Sequence, residues 1–359
     1  MNKITIFTFC CMIYGLVFSQ TPANDPHWQL KWQDEFNTFN SDIWSRGDTA
    51  AAGGTNQQPQ LYLANQVWVS GGNLVIALNN TPITCPTPAP NTNWICEPCI
   101  PGKTYKYRSG WVSSNPAYNT RYGYIEARIK FPWRDGKKWG FWPAFWTTQW
   151  VNPHTNAAEI DICEIFARNN SPNRFVTARI IAYNPTDNIG TFHELSNFSY
   201  ADWHTYAIEW DKNRLIWYLD GKPIYSLNDH KVVDPVRLIL NLAILNGVND
   251  GQYHPQTSPY FQEYMYVDYV KVYSLKCDKT TEITKITNFT NYNYAVKKSI
   301  TLDNQTTIPA NSNITLRATD FIALLPGFEV DTGRELYLDV TPCSSSGGFG
   351  EQPKPDELK

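Results

Sequence analysis

The sequence predicts an all-β protein built as a sandwich of two antiparallel sheets, and three observations support this fold class. The 359 residues include 14 Trp and 21 Tyr but only 3 Met, and aromatic residues are enriched in strands. Short segments of alternating apolar and polar residues recur along most of the chain. Long stretches of helical periodicity are nearly absent. Many short strands separated by turns are typical of a jelly-roll β-sandwich.

The predicted strands share a period of two, which places successive side chains on opposite faces of a sheet. Pro132 ends one of these strands, and Asp220-Gly221 is predicted to form a hairpin turn between two others. In chain order the predicted strands lie within residues 72–78, 122–131, 203–210, 214–219, 223–225, 237–243 and 266–273.

The N-terminus has the layout of a bacterial-type signal peptide. Lys3 precedes a mostly apolar run that ends at Phe18, and this run is too short to span a bilayer comfortably. We therefore expect residues 1–20 to be removed and the protein to be secreted, whether to the medium, the cell surface or the periplasm. An uncleaved membrane anchor is the alternative. No other apolar run has the length of a membrane span, so no membrane-spanning segment is expected in the mature protein.

Composition divides the rest of the chain into three parts. Residues 21–276 contain the predicted strands and form the predicted large domain. Residues 277–343 are rich in Thr and Asn, with short apolar runs between turn residues, which predicts a small β accessory domain of stacked turns. Residues 344–359 are rich in Ser and Gly and then in Pro and charged residues, so we expect a disordered tail.

Cysteines in an exported protein are candidates for disulfides. Three of them lie in a Pro-rich insertion, residues 82–103, which is predicted to be a disulfide-stapled surface loop rather than a metal site. Cys277 and Cys343 bracket the C-terminal segment and are candidates for a bridge. Cys163 is expected to be a buried free thiol, so one cysteine of the insertion has no assigned partner. The three cysteines of the insertion are Cys85, Cys96 and Cys99.

Residues 159–164 read Glu-Ile-Asp-Ile-Cys-Glu, with acids at offsets 0, 2 and 5. In a regular strand Glu159 and Asp161 share a face and Glu164 points the other way, which would bury a charge in a core. A β-bulge adds one residue and shifts the alternation. We therefore predict that Ile162 and Cys163 together oppose one residue of the neighbouring strand, so that all three acids face one side.

Three acids on one face favour acid–base or nucleophilic chemistry. Two glutamates four effective steps apart can bring their carboxyls to the roughly 5–5.5 Å separation of a retaining glycosidase. Repulsion among the acids raises the pKa of at least one of them, which suits a proton donor working near neutrality. A site for a hard cation such as calcium and a solvated acidic face are the alternatives for this strand.

Several stretches, in this order along roughly residues 28–275, resemble motifs of one enzyme family. Glu159–Glu164 is similar to an E-x-D-x-x-E signature in its bulged form, and Trp142–Trp146 is similar to a W-P-A-x-W strand. Further similar stretches are residues 122–130 (Y-G-x-x-E-A-R-x-K), 203–221 (H-x-Y-x-x-E-W through W-Y-x-D-G) and 267–273. These motifs are those of glycoside hydrolase family 16, of the laminarinase- and agarase-like type.

The resemblance implies a concanavalin A-like jelly roll with a cleft across one sheet. It also implies endo-acting cleavage of a β-linked polysaccharide with retention of configuration. By this resemblance Glu159 is the nucleophile, Glu164 is the acid/base, and Asp161 orients and tunes the nucleophile. No cofactor is implied for the chemistry.

Aromatic residues near the acids are candidates for sugar binding. Trp142 and Trp146 share a face at period two, so both offer stacking surfaces, with core packing as the alternative for either one. Tyr183, after the strand that follows the acids, is a further candidate.

Four other residues match functional positions of the family. Glu126, Arg128 and Asn241 match positions that contact sugar hydroxyls, and a structural ion pair is the alternative for Glu126 and Arg128. Asp268 matches a position that helps to bind a structural Ca2+, together with backbone carbonyls near Gly72.

The predicted substrate is a β-1,3- or mixed-linked glucan. A galactan of the agar, carrageenan or porphyran type is an alternative substrate, because laminarinase-like relatives tend to carry His in the strand where this chain has Arg179. Transglycosylation is an alternative reaction. Arg179 either contacts an anionic sugar or lies on the surface. The alternative of another class is a non-catalytic glycan-binding protein. Scattered Lys and Arg and a formal charge of −3 argue against nucleic acid, and we expect a monomer whose partner is polysaccharide.

Overall fold

The computed structural model describes part of the chain. The predicted signal peptide (residues 1–20), the predicted tail (residues 344–359), Cys96 and Tyr183 lie outside the described residues. Among the described residues, no helix combines the length and the apolar content needed to cross a membrane. The described residues are 28–46, 58–86, 99–133, 140–149, 158–166, 172–181, 186–245, 260–278, 280–286, 296–308, 313–332 and 335–340, with Pro22, Asp25 and Cys343.

Strands account for most of the described residues, as the alternating segments predict. Two short 3-10 helices, Ala64–Gln66 and Pro116–Tyr118, lie between them. The strands are β1 (Trp28–Asp34), β2 (Trp44–Arg46), β3 (Gln60–Tyr62), β4 (Val67–Ser70), β5 (Asn73–Asn79), β6 (Ile83–Thr84), β7 (Thr104–Tyr105), β8 (Tyr107–Ser109), β9 (Trp111–Ser114), β10 (Gly123–Lys130), β11 (Phe141–Gln149), β12 (Ala158–Glu164), β13 (Arg174–Ile181), β14 (Ile189–Glu194), β15 (His204–Trp210), β16 (Arg214–Leu219), β17 (Lys222–Asn228), β18 (Val236–Ile244), β19 (Gln262–Leu275), β20 (Glu282–Ile283), β21 (Lys297–Leu302), β22 (Asn313–Leu324) and β23 (Glu335–Val340).

Two large sheets form the predicted sandwich. Within the described chain, the ten-stranded sheet has the order β17-β16-β15-β10-β19-β5-β8-β3, with β1 beside β19 and β4 beside β5. The seven-stranded sheet has the order β14-β13-β12-β11-β18-β9-β2. Neighbouring strands run antiparallel, as in the pairs β10–β19 and β11–β12, whereas β3 and β8 are parallel. The predicted fold class is confirmed.

The main hydrophobic core lies between these two sheets. Ile125 and Ile129 of the ten-stranded sheet and Phe145 and Ile160 of the seven-stranded sheet are fully buried in it. Burial of each such side chain contributes about 1.5–3 kcal/mol. Because side chains alternate along a strand, the residues between these face the outer surface of each sheet. The outer surface of the seven-stranded sheet is called the open face below.

A third sheet follows the sandwich in the chain. It has four parallel strands in the order β20-β21-β22-β23 among the described residues, with a small core of its own that includes Ile300 and Leu316. Val296 packs against Tyr124 and Tyr273 on the outer surface of the ten-stranded sheet. The segment that leads into the third sheet therefore packs against the side of the sandwich that is opposite the open face.

Two disulfides staple the described chain. Cys277 is bonded to Cys343, which confirms the predicted bridge around the C-terminal segment. Cys85 is bonded to Cys99 in the insertion. Cys163 is free and buried, as predicted.

A buried ion pair joins the third sheet to the sandwich. Arg317 Nη2 lies 2.6 Å from Asp211 Oδ2, and the two side chains are 1% and 10% exposed. Asp211 Oδ1 also accepts the backbone N–H of Arg214, which closes the turn between β15 and β16. Arg214 in turn donates to Thr315 Oγ1 at 3.2 Å. The third sheet is thus anchored on the β15–β16 turn.

Arg317→Ala is expected to lower the free energy of unfolding by about 3–5 kcal/mol, because it leaves the Asp211 carboxylate buried without its partner. Urea denaturation followed by tryptophan fluorescence measures this. Lys298→Ala is the matched control, since the Lys298–Glu282 pair is solvent-exposed and contributes little. Equal midpoints for the two variants would contradict the anchoring role of Arg317.

Candidate active site

The acid strand β12 contains the predicted bulge. Asp161 and Glu164 pair with residues of β13 that are only two positions apart. Ile162 and Cys163 together therefore oppose Thr177 alone, and the register against β11 slips at the same point. The prediction is confirmed, and the one-residue slip returns Glu164 to the face that carries Asp161.

A tryptophan from the opposite sheet supports the bulge. Bulged residues lose part of their ladder hydrogen bonding, and an unpaired buried carbonyl is costly. Trp217 of β16 is 1% exposed, and its Nε1–H donates to the backbone carbonyl of Asp161 at 2.9 Å. The indole thus crosses the core and holds the backbone between the acids.

Strand pairing places aromatic and polar side chains beside the acids. Directly paired residues of neighbouring strands share a face. On β11, Trp146 pairs with Asp161 and Ala144 pairs with Glu164, and Ala144 also pairs with Asn241 of β18. The open face therefore combines side chains from four neighbouring strands, namely Glu159, Asp161 and Glu164 from β12, Trp142 and Trp146 from β11, Asn241 from β18 and Trp111 from β9.

Both cleft tryptophans are fixed by their indole N–H groups. Trp142 Nε1–H donates to Glu164 Oε1 at 2.8 Å, so one aromatic ring lies directly beside one acid. Trp146 Nε1–H donates to Asn241 Oδ1 at 2.8 Å. The Asn241 amide donates to the hydroxyl of Tyr62 at 3.1 Å. Neither tryptophan belongs to the main core, and both rings remain partly exposed on the open face.

The three acids titrate above their ordinary range. Burial is the largest cause for each, and it raises the pKa of Glu159, Asp161 and Glu164. The charge of Glu164 raises the pKa of the other two further. A hydrogen bond between Asp161 and Glu159 favours protonated Asp161 and ionised Glu159, and the Trp142 N–H favours ionised Glu164.

This electrostatic arrangement suits two different roles for the two glutamates. Burial raises the pKa of Glu159 to about 8, and a protonated Asp161 that donates to Glu159 opposes this effect and so favours the carboxylate form that a nucleophile needs. Glu164, whose pKa is raised by burial, retains a proton toward neutrality and is suited to general-acid work. The sequence prediction of a raised pKa among the acids agrees with this.

The structure does not bring Glu126 and Arg128 to the acids, which corrects their predicted role in substrate binding. Both lie on β10 of the other sheet and face its outer surface, because Ala127 between them is buried in the core. Arg128 Nη1 pairs with Asp268 Oδ2 at 2.6 Å. Glu126 interacts with Lys271, and burial raises the pKa of Glu126 to about 7. A motif match identified the strand, but not the face of the sandwich to which its side chains point.

Asp268 offers little of what a calcium site needs. Its carboxylate is engaged by Arg128, whereas calcium takes six to eight oxygen ligands. Among the described residues, no group of three or more His, Cys, Asp or Glu side chains is arranged to hold a metal ion. The predicted Ca2+ at Asp268 therefore stays a prediction.

Arg179 lies neither in the cleft nor on the surface, which corrects both interpretations offered for it. It pairs with Ile160, so it faces the core side of β13, and it is 4% exposed. It donates to the backbone carbonyl of Asp187. Tyr183, the remaining predicted sugar contact, lies outside the described residues.

Sequence reasoning missed two residues that support the open face. Tyr62 of β3 is fully buried and bonds the Asn241 amide, and Trp111 of β9 packs edge-on against Trp146 with ring centroids 5.5 Å apart. Both buttress the Trp146 side chain. They come from short strands far from the acids in the chain, and only long-range pairing brings them there, which no local pattern reveals.

Comparisons with known proteins agree with this geometry. The profile described as Glycosyl hydrolases family 16 matches residues 61–259. The chain is 28% identical over 275 residues to glucan endo-1,3-beta-glucosidase A1 of Niallia circulans, covering 68% of this chain and 37% of that protein. It is 26% identical over 273 residues to the clotting factor G alpha subunit of Tachypleus tridentatus, covering 74% of this chain and 37% of that protein. The chain thus spans 37% of the length of each of these curated relatives.

A solved structure shares the architecture. The catalytic domain of an endo-1,3-beta-glucanase (laminarinase) from Thermotoga petrophila RKU-1 superposes with a TM-score of 0.57 at 26% identity. The match covers 69% of this chain and 98% of that domain. The similarity therefore concerns the sandwich.

Asp161→Ala is expected to raise the pKa of Glu159 by roughly one unit, because the carboxylate loses the hydrogen bond that stabilises its charged form. A 13C NMR titration of the labelled glutamate carboxyls measures this shift. Asp161→Asn, which keeps an N–H donor at the same place, is the control and should shift the pKa less. An unchanged or lowered Glu159 pKa in the alanine variant would show that Asp161 does not tune Glu159.

Proposed function

The chain belongs to glycosyl hydrolases family 16, and from this premise we propose that it hydrolyses a β-1,3- or mixed-linked glucan internally with retention of configuration. One observation carries the proposal: the bulge of β12 places Glu159, Asp161 and Glu164 on one open face. A lectin has no need for a nucleophile, its tuning acid and a proton donor in one row.

In the first step of the proposed reaction, a Glu159 carboxylate oxygen attacks the anomeric carbon. The glycosidic C–O bond breaks as Glu164 gives its proton to the leaving oxygen. The product is a covalent glycosyl ester on Glu159. The hydrogen bond from Asp161 favours the ionised form of Glu159, which is the form that attacks.

In the second step, Glu164 acts as a carboxylate base. It removes a proton from a water molecule whose oxygen attacks the anomeric carbon, and the ester bond to Glu159 breaks. Two displacements restore the original configuration. If a sugar hydroxyl enters instead of water, the same steps give transglycosylation.

The substrate proposal rests on the relatives and on the cleft. The Niallia protein is named a glucan endo-1,3-beta-glucosidase and the Thermotoga domain a laminarinase. Arg179 faces away from the acids, so it gives no support to an anionic galactan. Trp142 and Trp146 supply neutral aromatic surfaces that suit uncharged pyranose rings.

Two further proposals concern the mature protein. We propose that residues 1–20 are removed on export, and the disulfides Cys85–Cys99 and Cys277–Cys343 support an oxidising compartment.

The reaction needs no cofactor. A calcium at Asp268 and a monomeric state stay predictions, to be checked by calcium-dependent thermal unfolding of wild type and Asp268→Ala, and by light scattering.

Reducing-end release across a polysaccharide panel tests the proposed activity. The wild type is expected to act on β-1,3-glucan and mixed-linked glucan, and Glu159→Gln is expected to release sugar only at background rate. 1H NMR should show the β-anomer of the new reducing end first. Binding without release by the wild type would favour a glycan-binding protein, and release from agar or carrageenan alone would favour a galactanase.

Azide rescue separates the roles of the two glutamates. With an activated aryl glycoside, Glu159→Ala and azide should yield the α-glycosyl azide, because azide replaces the nucleophile. Glu164→Ala and azide should yield the β-glycosyl azide from the covalent intermediate. The opposite anomers would exchange the two assignments.

Trp142→Phe is expected to move the alkaline limb of the kcat/KM profile to higher pH. Loss of the indole N–H removes stabilisation of ionised Glu164, so its pKa rises and the acid stays protonated to higher pH. Trp146→Phe is the control, since that N–H bonds Asn241 rather than an acid. A limb that stays in place or moves down in Trp142→Phe would contradict the assignment of Glu164 as the acid.

A further inference from the structure

A strip of aromatic side chains crosses the outer surface of the ten-stranded sheet. The ring centroids of Trp68 and Tyr264 are 6.1 Å apart with an interplanar angle of 88°, and those of Tyr264 and Tyr266 are 5.9 Å apart. The Arg128 guanidinium lies 4.8 Å from the ring centroid of Trp203. These five residues are called the outer aromatic strip.

The strip faces away from the acids. Met265 and Val267 alternate with Tyr264 and Tyr266 and are fully buried in the core between the sheets, so the tyrosines point outward. Val67 is buried in the same core, which turns Trp68 outward as well. The rings of the strip remain partly exposed. A ligand on this surface is separated from the open face by the whole thickness of the sandwich.

Ion pairs neutralise charged residues along the strip. Arg128 pairs with Asp268 at 2.6 Å, and Lys271 Nζ lies 2.9 Å from Glu35 Oε1. The charges of Arg128 and Lys271 are thus neutralised locally, and Lys130, which pairs with Tyr266, adds one cation, whereas nucleic acids and acidic membranes require clusters of positive charge. The groups that remain are aromatic faces, hydroxyls and paired ions with free hydrogen-bonding capacity.

The same outer surface already holds one part of this chain. At the far end of β19, Tyr273 and Tyr124 are buried under Val296, whereas Tyr264 and Tyr266 are left partly exposed. The strip therefore belongs to the same outer surface on which Val296 packs, and it is the part that remains exposed. With strands about 4.8 Å apart, the strip spans roughly 14 Å from β4 to β10, and Trp203 extends it further.

We propose that the outer aromatic strip is a second polysaccharide-binding surface, which holds a neutral β-glucan chain remote from the acids. Partly exposed aromatic rings offer apolar faces to pyranose rings, and the neighbouring hydroxyls and ion pairs bond sugar hydroxyls. The strip keeps the protein on a polymer while another stretch of glucan occupies the cleft. The identity of the polymer rests on the proposed function; the position of the surface does not.

Binding to insoluble β-1,3-glucan particles tests the strip when the cleft is blocked. Full-length Glu159→Gln protein prevents digestion, and saturating short β-1,3-gluco-oligosaccharide occupies the cleft. Under these conditions the parent should still sediment with the particles, and adding Trp68→Ala and Tyr266→Ala should weaken binding roughly 10-fold. Phe321→Ala is the matched control, because Phe321 is an aromatic residue of β22 in the third sheet and is 53% exposed.

Activity of the corresponding active chains gives the second readout. Trp68→Ala/Tyr266→Ala should hydrolyse a short soluble oligosaccharide at the parent rate but act more slowly on insoluble glucan. Equal particle binding by the variant and the parent overturns the proposal, as does loss of all parent binding once the cleft is blocked. Binding of anionic vesicles or single-stranded DNA that depends on the strip, with no glucan binding, overturns it too. If the double variant melts at a lower temperature, Tyr264→Ser replaces it with the same readouts.

The outcomes separate this inference from the proposed function. A chain that holds glucan through the strip but hydrolyses no polysaccharide contradicts the enzyme proposal and supports the strip. A chain that hydrolyses glucan but binds no particles with its cleft blocked supports the enzyme and overturns the strip.

Discussion

The hydrogen bond from the Trp217 indole to the Asp161 carbonyl is the constraint on which the active face depends. A strand that places acids at offsets 0, 2 and 5 on one face must carry an extra residue, and this residue disturbs the ladder where Ile162 and Cys163 are buried. The donor comes from the opposite sheet, at 2.9 Å. The acids on the open face are therefore held in place from the core side, by the buried side chain of Trp217.

The two cleft tryptophans show how one residue type serves two needs at once. A ring that stacks on sugar must be held at a fixed angle, and an indole N–H with a buried acceptor supplies that restraint. Trp142 uses Glu164 as its acceptor, so the restraint on the ring also tunes an acid. Trp146 uses Asn241, so the restraint leaves the acids unaffected. Trp142 therefore affects the pKa of an acid and Trp146 does not, because the two indole N–H groups have different acceptors.

Sequence alone predicted the strands, the bulge and the Cys277–Cys343 bridge, because each depends on local alternation or on a short list of possible partners. The bulge followed from parity: three acids at these offsets fit one face in no other way. The predicted roles of Glu126 and Arg128 failed because parity fixes which residues share a face, but not which face of the sandwich that is. Tyr62 escaped notice because its partner Asn241 lies 179 positions away.

The third sheet contacts the β15–β16 turn, and this link to the sandwich is not visible in the amino-acid composition. The turn that receives Arg317 through Asp211 leads directly into β16, the strand that carries Trp217. Amino-acid composition changes near residue 276, but the Arg317–Asp211 ion pair crosses this boundary and joins the two parts of the chain. A chain cut at that point would lose the Arg317 side chain that pairs with Asp211, and with it a contact on the turn that precedes the strand behind the acids.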